Sequence, residues 1–292
     1  MISGVAVVDK AAGWTSHDVV AKARGILGQK KVGHSGTLDP DATGVLLLGV
    51  GKATRLLGYL TALPKSYVGE VVLGSETDTL DAAGEIVATH DMRHVTLAEA
   101  RAAAAAFVGD IEQVPPMVSA VKIGGKRLHE LARAGETVER PPRPVTVHRL
   151  VLDEAQPATD EAAMVLRIEV DCSSGTYIRT LADDLGHALG GGAHLRNLRR
   201  TAIGSFTLAE ARPLEALELL PTAVALRDFP SVTVDETLAA RIANGAVLQR
   251  VELGATVAEG GGPWAVLGPS GDLLAVYEGR DEARVKPAVV LV

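Results

Sequence analysis

Disulfides, cofactor signatures and membrane anchors are what this chain lacks. It carries one cysteine, Cys172, in 292 residues, and a lone thiol closes no internal disulfide and supplies no metal-ligand spacing. Neither a P-loop nor a dinucleotide fingerprint is found. No apolar run approaches the roughly 20 residues needed to cross a bilayer, and the N-terminus has no basic-then-apolar signal pattern. Aromatic residues make up 3% of the chain, so the core must be built from Ala, Val and Leu. These absences lead us to expect a cytoplasmic protein with no metal site.

What is present is ample material for a core. Hydrophobic residues are 47% and charged residues 22% of the chain, the balance of a globular protein with one large domain, or a large one plus a small one. A net charge of −7 taken alone argues against a nucleic-acid partner. The distribution says more than the sum. Between Lys122 and Arg149 seven basic residues face three acidic ones, Arg196, Arg199 and Arg200 stand together, and acid predominates after Ser205. A basic strip on an acidic body is compatible with RNA binding.

The most unusual stretch is Gly33-His34-Ser35-Gly36-Thr37-Leu38-Asp39-Pro40-Asp41-Ala42-Thr43-Gly44. Its glycines and proline exclude a regular helix or strand, and the apolar run Val45 to Val50 then reads as a short buried element. Asp39, fixed between Leu38 and Pro40, is the carboxylate held furthest from water; by composition alone it reads first as a local turn acceptor. Before this loop, Gly4 to Asp9 reads as a buried strand ending at Lys10, followed by a turn and a helix with Ser16 as N-cap. After it, Lys65 to Gly74 reads as a strand. Thr96 and Glu99 form a capping box for an Ala-rich helix running to Val108. The segment Val114 to Gly135 reads as a basic loop, with Lys126 and Arg127 suited to phosphate contacts, and a short helix from Leu128 to Gly135. Met164 to Val170 reads as a half-buried strand. Ile178, Leu181, Ala182, Leu185 and Leu189 have helical spacing, which puts Arg179 in a first turn, against the helix dipole. Leu219 to Ser231 reads as a linker after a helix, and short apolar runs between turn signals beyond it read as a small β-rich unit.

Four blocks resemble the TruB family of tRNA pseudouridine synthases. They are the loop Gly33 to Gly44 with Gly51-Lys52-Ala53-Thr54-Arg55, the pair Lys65-x-Tyr67, the block Ser174-Gly175-Thr176-Tyr177-Ile178-Arg179-Thr180-Leu181, and Gly192 to Thr201. Lys10, Gly13 and Ser16 match a further family pattern, with Ala11 where proline is usual. The resemblance implies that Asp39 is the essential catalytic residue, Arg179 its partner, and Tyr67 an active-site residue. It further implies that His34 takes the space of a flipped base, while Tyr177 and Leu198 bind the substrate. The implied reaction isomerises the uridine at position 55 in the T-loop of tRNA to pseudouridine after the nucleotide is flipped out, without cofactor or obligatory protein partner. The implied fold is α+β, with a large mixed-sheet catalytic domain over residues 1–229 and a small PUA-like domain over 230–292. A non-catalytic tRNA-binding or tRNA-folding module is the alternative, and it predicts damage to Asp39, Tyr67 or Arg179. A nucleosidase would need a paired carboxylate, for which Asp41 is the near candidate.

Overall fold

The computed structural model describes residues 2–119, 122–123, 125–128, 131, 136, 138–154, 164–254, 257 and 260–292. Among these the chain opens with β1 (Gly4–Lys10), α1 (Ser16–Leu27), β2 (Val32–Ser35), β3 (Thr43–Val50), α2 (Leu57–Ala62) and β4 (Lys65–Leu73). A hairpin of β5 (Ser75–Thr77) and β6 (Ile86–Thr89) follows, then α3 (Leu97–Ala104), β7 (Gly109–Gln113) and the two-residue strands β8 (Lys122–Ile123) and β9 (Lys126–Arg127). Next come β10 (Arg143–Glu154), β11 (Val165–Cys172), α4 (Ile178–Ala188), β12 (Ala193–Ile203) and β13 (Phe206–Thr207). The chain closes with β14 (Ser231–Thr233), α5 (Glu236–Ala243), β15 (Leu248–Gln249), β16 (Trp264–Leu267), β17 (Leu273–Gly279) and β18 (Arg284–Val290).

Strands buried on both faces need continuous apolar sequence, and β1 and β3 have it: Val5 to Val8 and Val45 to Leu48 are sealed. They pair antiparallel from Gly4↔Val50 to Lys10↔Gly44. Around them, among the described residues, nine strands form one mixed sheet with the path β1-β3-β12-β4-β11-β10-β7, to which β2 and β13 attach. The join between β12 and β3 is parallel and short, confined to Arg199↔Thr43 and Arg200↔Gly44. The polar loop 36–42 enters β3 at that seam. Val19, Val20 and Ala23 of α1 cover one face against Ala6, Val8, Leu46 and Leu48. Ile178, Leu181 and Leu185 of α4 pack with Tyr67, Val71, Ile168 and Val170.

A second, five-stranded sheet follows the path β14-β16-β17-β18-β15. Its residues Ala265, Leu273, Val276 and Val289 share one apolar cluster with Val5, Leu60, Ala225 and Leu226. Among the described residues no helix is long and apolar enough to cross a membrane.

Three local expectations change. The cap of α1 is Thr15, whose side chain and Asp18 form a reciprocal capping box; Ser16 is freed for another task described below. The Ala-rich helix ends at Ala104 and tightens into a 3-10 turn over Ala105–Phe107, because Gly109 already belongs to β7. The stretch from Leu219 is not a loose linker after a helix. Leu220 exchanges both backbone hydrogen bonds with Val5, at 3.1 and 2.8 Å, and Ala225 and Leu226 are buried. Of the short helix expected from Leu128 to Gly135, Leu128 and Leu131 are buried, while Ala132 to Gly135 lie outside the described residues. The side chains of Lys126 and Arg127 lie outside them as well.

Candidate active site

Asp39 is held from three sides by its neighbours' backbone. Ser16 Oγ accepts from Leu38 N at 2.9 Å and donates to Leu38 O at 3.2 Å. Gly13 N donates to Pro40 O at 2.9 Å. Lys10, sealed from solvent, donates from Nζ to Pro40 O at 2.8 Å, to Trp14 O at 2.7 Å and to Ala11 O at 3.0 Å. Burial pulls the Lys10 ammonium down to about 8, while Asp39 and Asp41 pull it back. Gly44, with φ +102°, closes the loop where a Cβ would stand 2.1 Å from Arg200 O, so no other residue fits.

Arg179 reaches Asp39 from the first turn of α4. Its Nε lies 3.1 Å from Asp39 Oδ2 and its Nη1 lies 3.4 Å from Asp81 Oδ2. The remaining donors go to Thr79 O and Val118 O, both at 2.8 Å. The guanidinium side chain is 4% exposed and the carboxylate 40%, an asymmetry that leaves the cation sealed and the anion open. That opening faces a cavity, not bulk water, so protein still surrounds the carboxylate. Burial therefore pushes the Asp39 carboxyl above its ordinary range; Arg179 opposes the shift, and Asp81 adds to it.

The cavity, of about 300 Å³, is lined by Asp39, Lys65, Tyr67, Tyr177, Leu198 and Arg200 among others. A neighbouring cavity of about 440 Å³ shares Asp39, Arg179 and Leu198 with it. The structure thus brings together five of the six residues expected at the reaction centre. Tyr67 is buried on β4, and burial raises its hydroxyl against the pull of the Arg200 guanidinium. Tyr177 precedes α4, where its backbone is clamped by Gln113, with N···Oε1 2.9 Å and Nε2···O 3.3 Å. Leu198 stands on β12 at an irregularity between Arg196 and Arg199, next to Asn197 with φ +52°. The sixth, His34, sits on β2 edge-on to His17 at 5.2 Å and is not among the residues lining the cavity.

Sequence reasoning named Lys65 only as part of a motif, with no role at the site, and misread Arg200. Lys65 Nζ donates to Thr61 O at 2.7 Å and Leu63 O at 2.6 Å, and burial lowers it to about 8. The expected arginine strip is divided: Arg196 pairs with Glu70 at 2.7 Å, Arg199 holds Asp9 through two contacts of 3.0 and 2.7 Å, and Arg200 is buried. The pleat of β12 and its irregularity send adjacent residues to different faces. Arg200, in a strand that also carries His194, Arg196, Asn197 and Arg199, offered no signal of its burial; for Lys10 the signal was a lysine ending a strand that opens with five apolar residues.

Comparison with known proteins identifies the family. Residues 24–178 match the family model described as TruB family pseudouridylate synthase, N-terminal domain, and residues 179–228 match a tRNA pseudouridylate synthase B C-terminal domain. The chain is 46% identical over 286 residues to a protein named tRNA pseudouridine synthase B from Arthrobacter sp. (strain FB24), covering 94% of this chain and 92% of the relative. It is 45% identical over 294 residues to one of the same name from Thermobifida fusca (strain YX), covering 99% of both. A solved structure titled as a Cbf5-Nop10-Gar1 complex superposes with a TM-score of 0.73 at 27% identity, over 99% of this chain and 85% of that one. Two family models that together cover residues 24–228, and relatives 45–46% identical over nearly the whole chain, place it in the TruB family of pseudouridine synthases.

Proposed function

We propose that the protein isomerises the uridine at position 55 in the T-loop of tRNA, with Asp39 as the essential residue. The observation carrying this reading is the sealed Arg179 facing an open Asp39 at the wall of a cavity of about 300 Å³, a volume suited to one small ligand. The relatives' shared name, tRNA pseudouridine synthase B, supports tRNA as the substrate. A base inside a folded loop must be turned out of its stack to enter such a pocket.

Isomerisation breaks the C1′–N1 bond, turns the uracil and joins C5 to C1′. One proton leaves C5 and one is gained at N1, so no electron or group is lost and no cofactor is needed. The Asp39 carboxylate starts the reaction by adding to the ribose or to the uracil ring, and Arg179 favours its ionised form against the opposing effect of burial. The Tyr67 ring and Leu198 hold the base between them. Asp39, once released from carbon, is free to take the C5 proton, whereas the Tyr67 hydroxyl starts as a phenol because burial raises it. Tyr177 positions the substrate, and His34, beside the cavity, fills the gap left in the RNA. Lys126 and Arg127 supply phosphate contacts. In this reading residues 1–229 form the catalytic domain and 230–292 a PUA-like RNA-gripping domain. The work is done in the cytoplasm without an obligatory protein partner. The intact Asp39, Tyr67 and Arg179 favour catalysis over a purely tRNA-binding role.

The test is incubation with an unmodified tRNA transcript, mapping pseudouridine by chemical adduct and primer extension. The parent should modify the T-loop uridine. Asp39→Asn should lose about 10⁴-fold or more in turnover, the scale of removing a nucleophile, with tRNA affinity largely kept. Asp41→Asn should stay close to the parent. An active Asp39→Asn protein removes the assignment.

A further inference from the structure

Trp14 is the one large aromatic ring that this chain leaves exposed. Of its two tryptophans, Trp264 is sealed and Trp14 is 37% exposed, while every Phe and Tyr is buried or half-buried. Trp14 stands outside the four apolar clusters of the fold. Among the described residues its indole N–H donates to no acceptor, and its ring meets no second ring and no cation. Such a ring offers a π-face and a donor to a partner from outside the chain.

The ring is open, but the backbone that carries it is fixed. Trp14 O accepts from Lys10 Nζ at 2.7 Å, and the same ammonium donates to Pro40 O at 2.8 Å. One buried cation thus ties Trp14 to the residue that follows Asp39. On one side of Trp14, Gly13 N also donates to Pro40 O. On the other, Thr15 is locked in its capping box with Asp18, and Ser16 Oγ holds Leu38. A ring on a backbone ordered in advance loses little freedom when a partner stacks on it. Just past the cap the exposed His17 meets His34 edge-on, so three rings surround the start of α1 where it supports the Asp39 loop.

We propose that Trp14 is a stacking platform for an unpaired nucleobase of the RNA, beside the nucleotide turned out toward Asp39; this rests on the tRNA reading above. A base that leaves its stack uncovers a π-face on each neighbour. An indole fixed beside the reacting loop covers one of those faces. The tie through Lys10 to Pro40 favours a nucleobase over a protein side chain as occupant, because it sets the ring next to the loop that acts on RNA. Every base has a π-face, so the contact reads no sequence. Trp14 contributes affinity and orientation, and the choice of uridine stays with the cavity.

The probe is an isolated T-arm stem-loop RNA, titrated into the full chain while tryptophan emission is followed. Emission from the parent should fall in a saturable way. Trp14→Phe leaves Trp264 as the sole tryptophan; its emission should stay flat while filter binding shows the RNA still bound, within about threefold of the parent because a ring remains. Trp14→Ala should weaken binding about tenfold, with the salt dependence of affinity unchanged, since no phosphate contact is removed. Both variants alter an exposed loop side chain, and circular dichroism verifies their fold. A parent that binds and modifies the RNA with unchanged emission overturns the platform and leaves the reaction standing. A folded Trp14→Ala protein with the parent's affinity, or with a changed salt dependence, overturns it as well. A parent that neither binds nor modifies the RNA removes both readings.

Discussion

Two arginines are sealed in or beside the same cavity, and they answer to different partners. Arg179 meets two carboxylates, Asp39 and Asp81, and fills its remaining donors with two carbonyls. Arg200 meets mainly backbone: its Nε donates to Val45 O at 2.7 Å and its Nη2 to Gly36 O at 3.2 Å, with Thr37 O at the limit of reach at 3.5 Å, and its guanidinium also acts on the Tyr67 hydroxyl. One cation serves a pair of carboxylates; the other chiefly pins the peptide chain that carries one of them. Burial alone therefore does not say what an arginine is for. The partner's chemistry does.

The largest effect that would sharpen this contrast is on Arg179. Arg179→Lys keeps the charge but loses the planar fork that serves Asp39, Asp81 and two carbonyls together. Disrupting a buried pair costs about 3–5 kcal/mol, or about two to four powers of ten in rate where it falls on the transition state. Single-turnover kinetics on a tRNA transcript should show that loss with affinity little changed. A lysine variant within tenfold of the parent would mean that charge alone matters there.

Arg200→Met should act first on the fold. It leaves the carbonyls of Gly36 and Val45 without their donor, at about 1–3 kcal/mol for each buried group. For a chain of this size the Tm should fall by roughly 5–15 °C, measured by calorimetry. An unchanged Tm with abolished turnover would turn Arg200 into a second reactive cation and erase the contrast.

The smallest effect is on stability at Asp39 itself. Its folded carboxyl holds a proton more tightly than the unfolded chain does, with an ordinary value of 3.8. Between that value and the raised one the folded state binds more protons, so stability falls as pH rises through this window and stays reduced above it. Asp39→Asn should thus be no less stable than the parent at pH 7, with the advantage vanishing at low pH, as chemical denaturation across pH would show. A variant clearly weaker at neutral pH would mean that the Arg179 pair stabilises the fold outright.

Much of this arrangement was legible in the sequence where local pattern and burial coincide. The strands β1, β3 and β4 and the helix α4 announce themselves as continuous or periodic apolar runs, and the loop around Asp39 as a break between them. The site's supports were not legible, because their partners are remote: Lys10 finds Pro40 30 residues away, and Arg179 finds Thr79 100 residues away. The arginines of β12 misled because consecutive charges in a strand do not share a face.

The apolar cluster shared by the two sheets bears on how this protein can be handled. Leu226 and Leu60 pack against Leu273 and Val276 in one body of side chains, Tyr59 stands edge-on to Phe229 at 5.9 Å, and Arg55 donates to Val290 O. A chain shortened at residue 229 would present that cluster to water as a sticky patch. Expression of the N-terminal portion alone should yield aggregates, and the full chain should melt in a single step, its last five strands serving as a stopper for the first sheet.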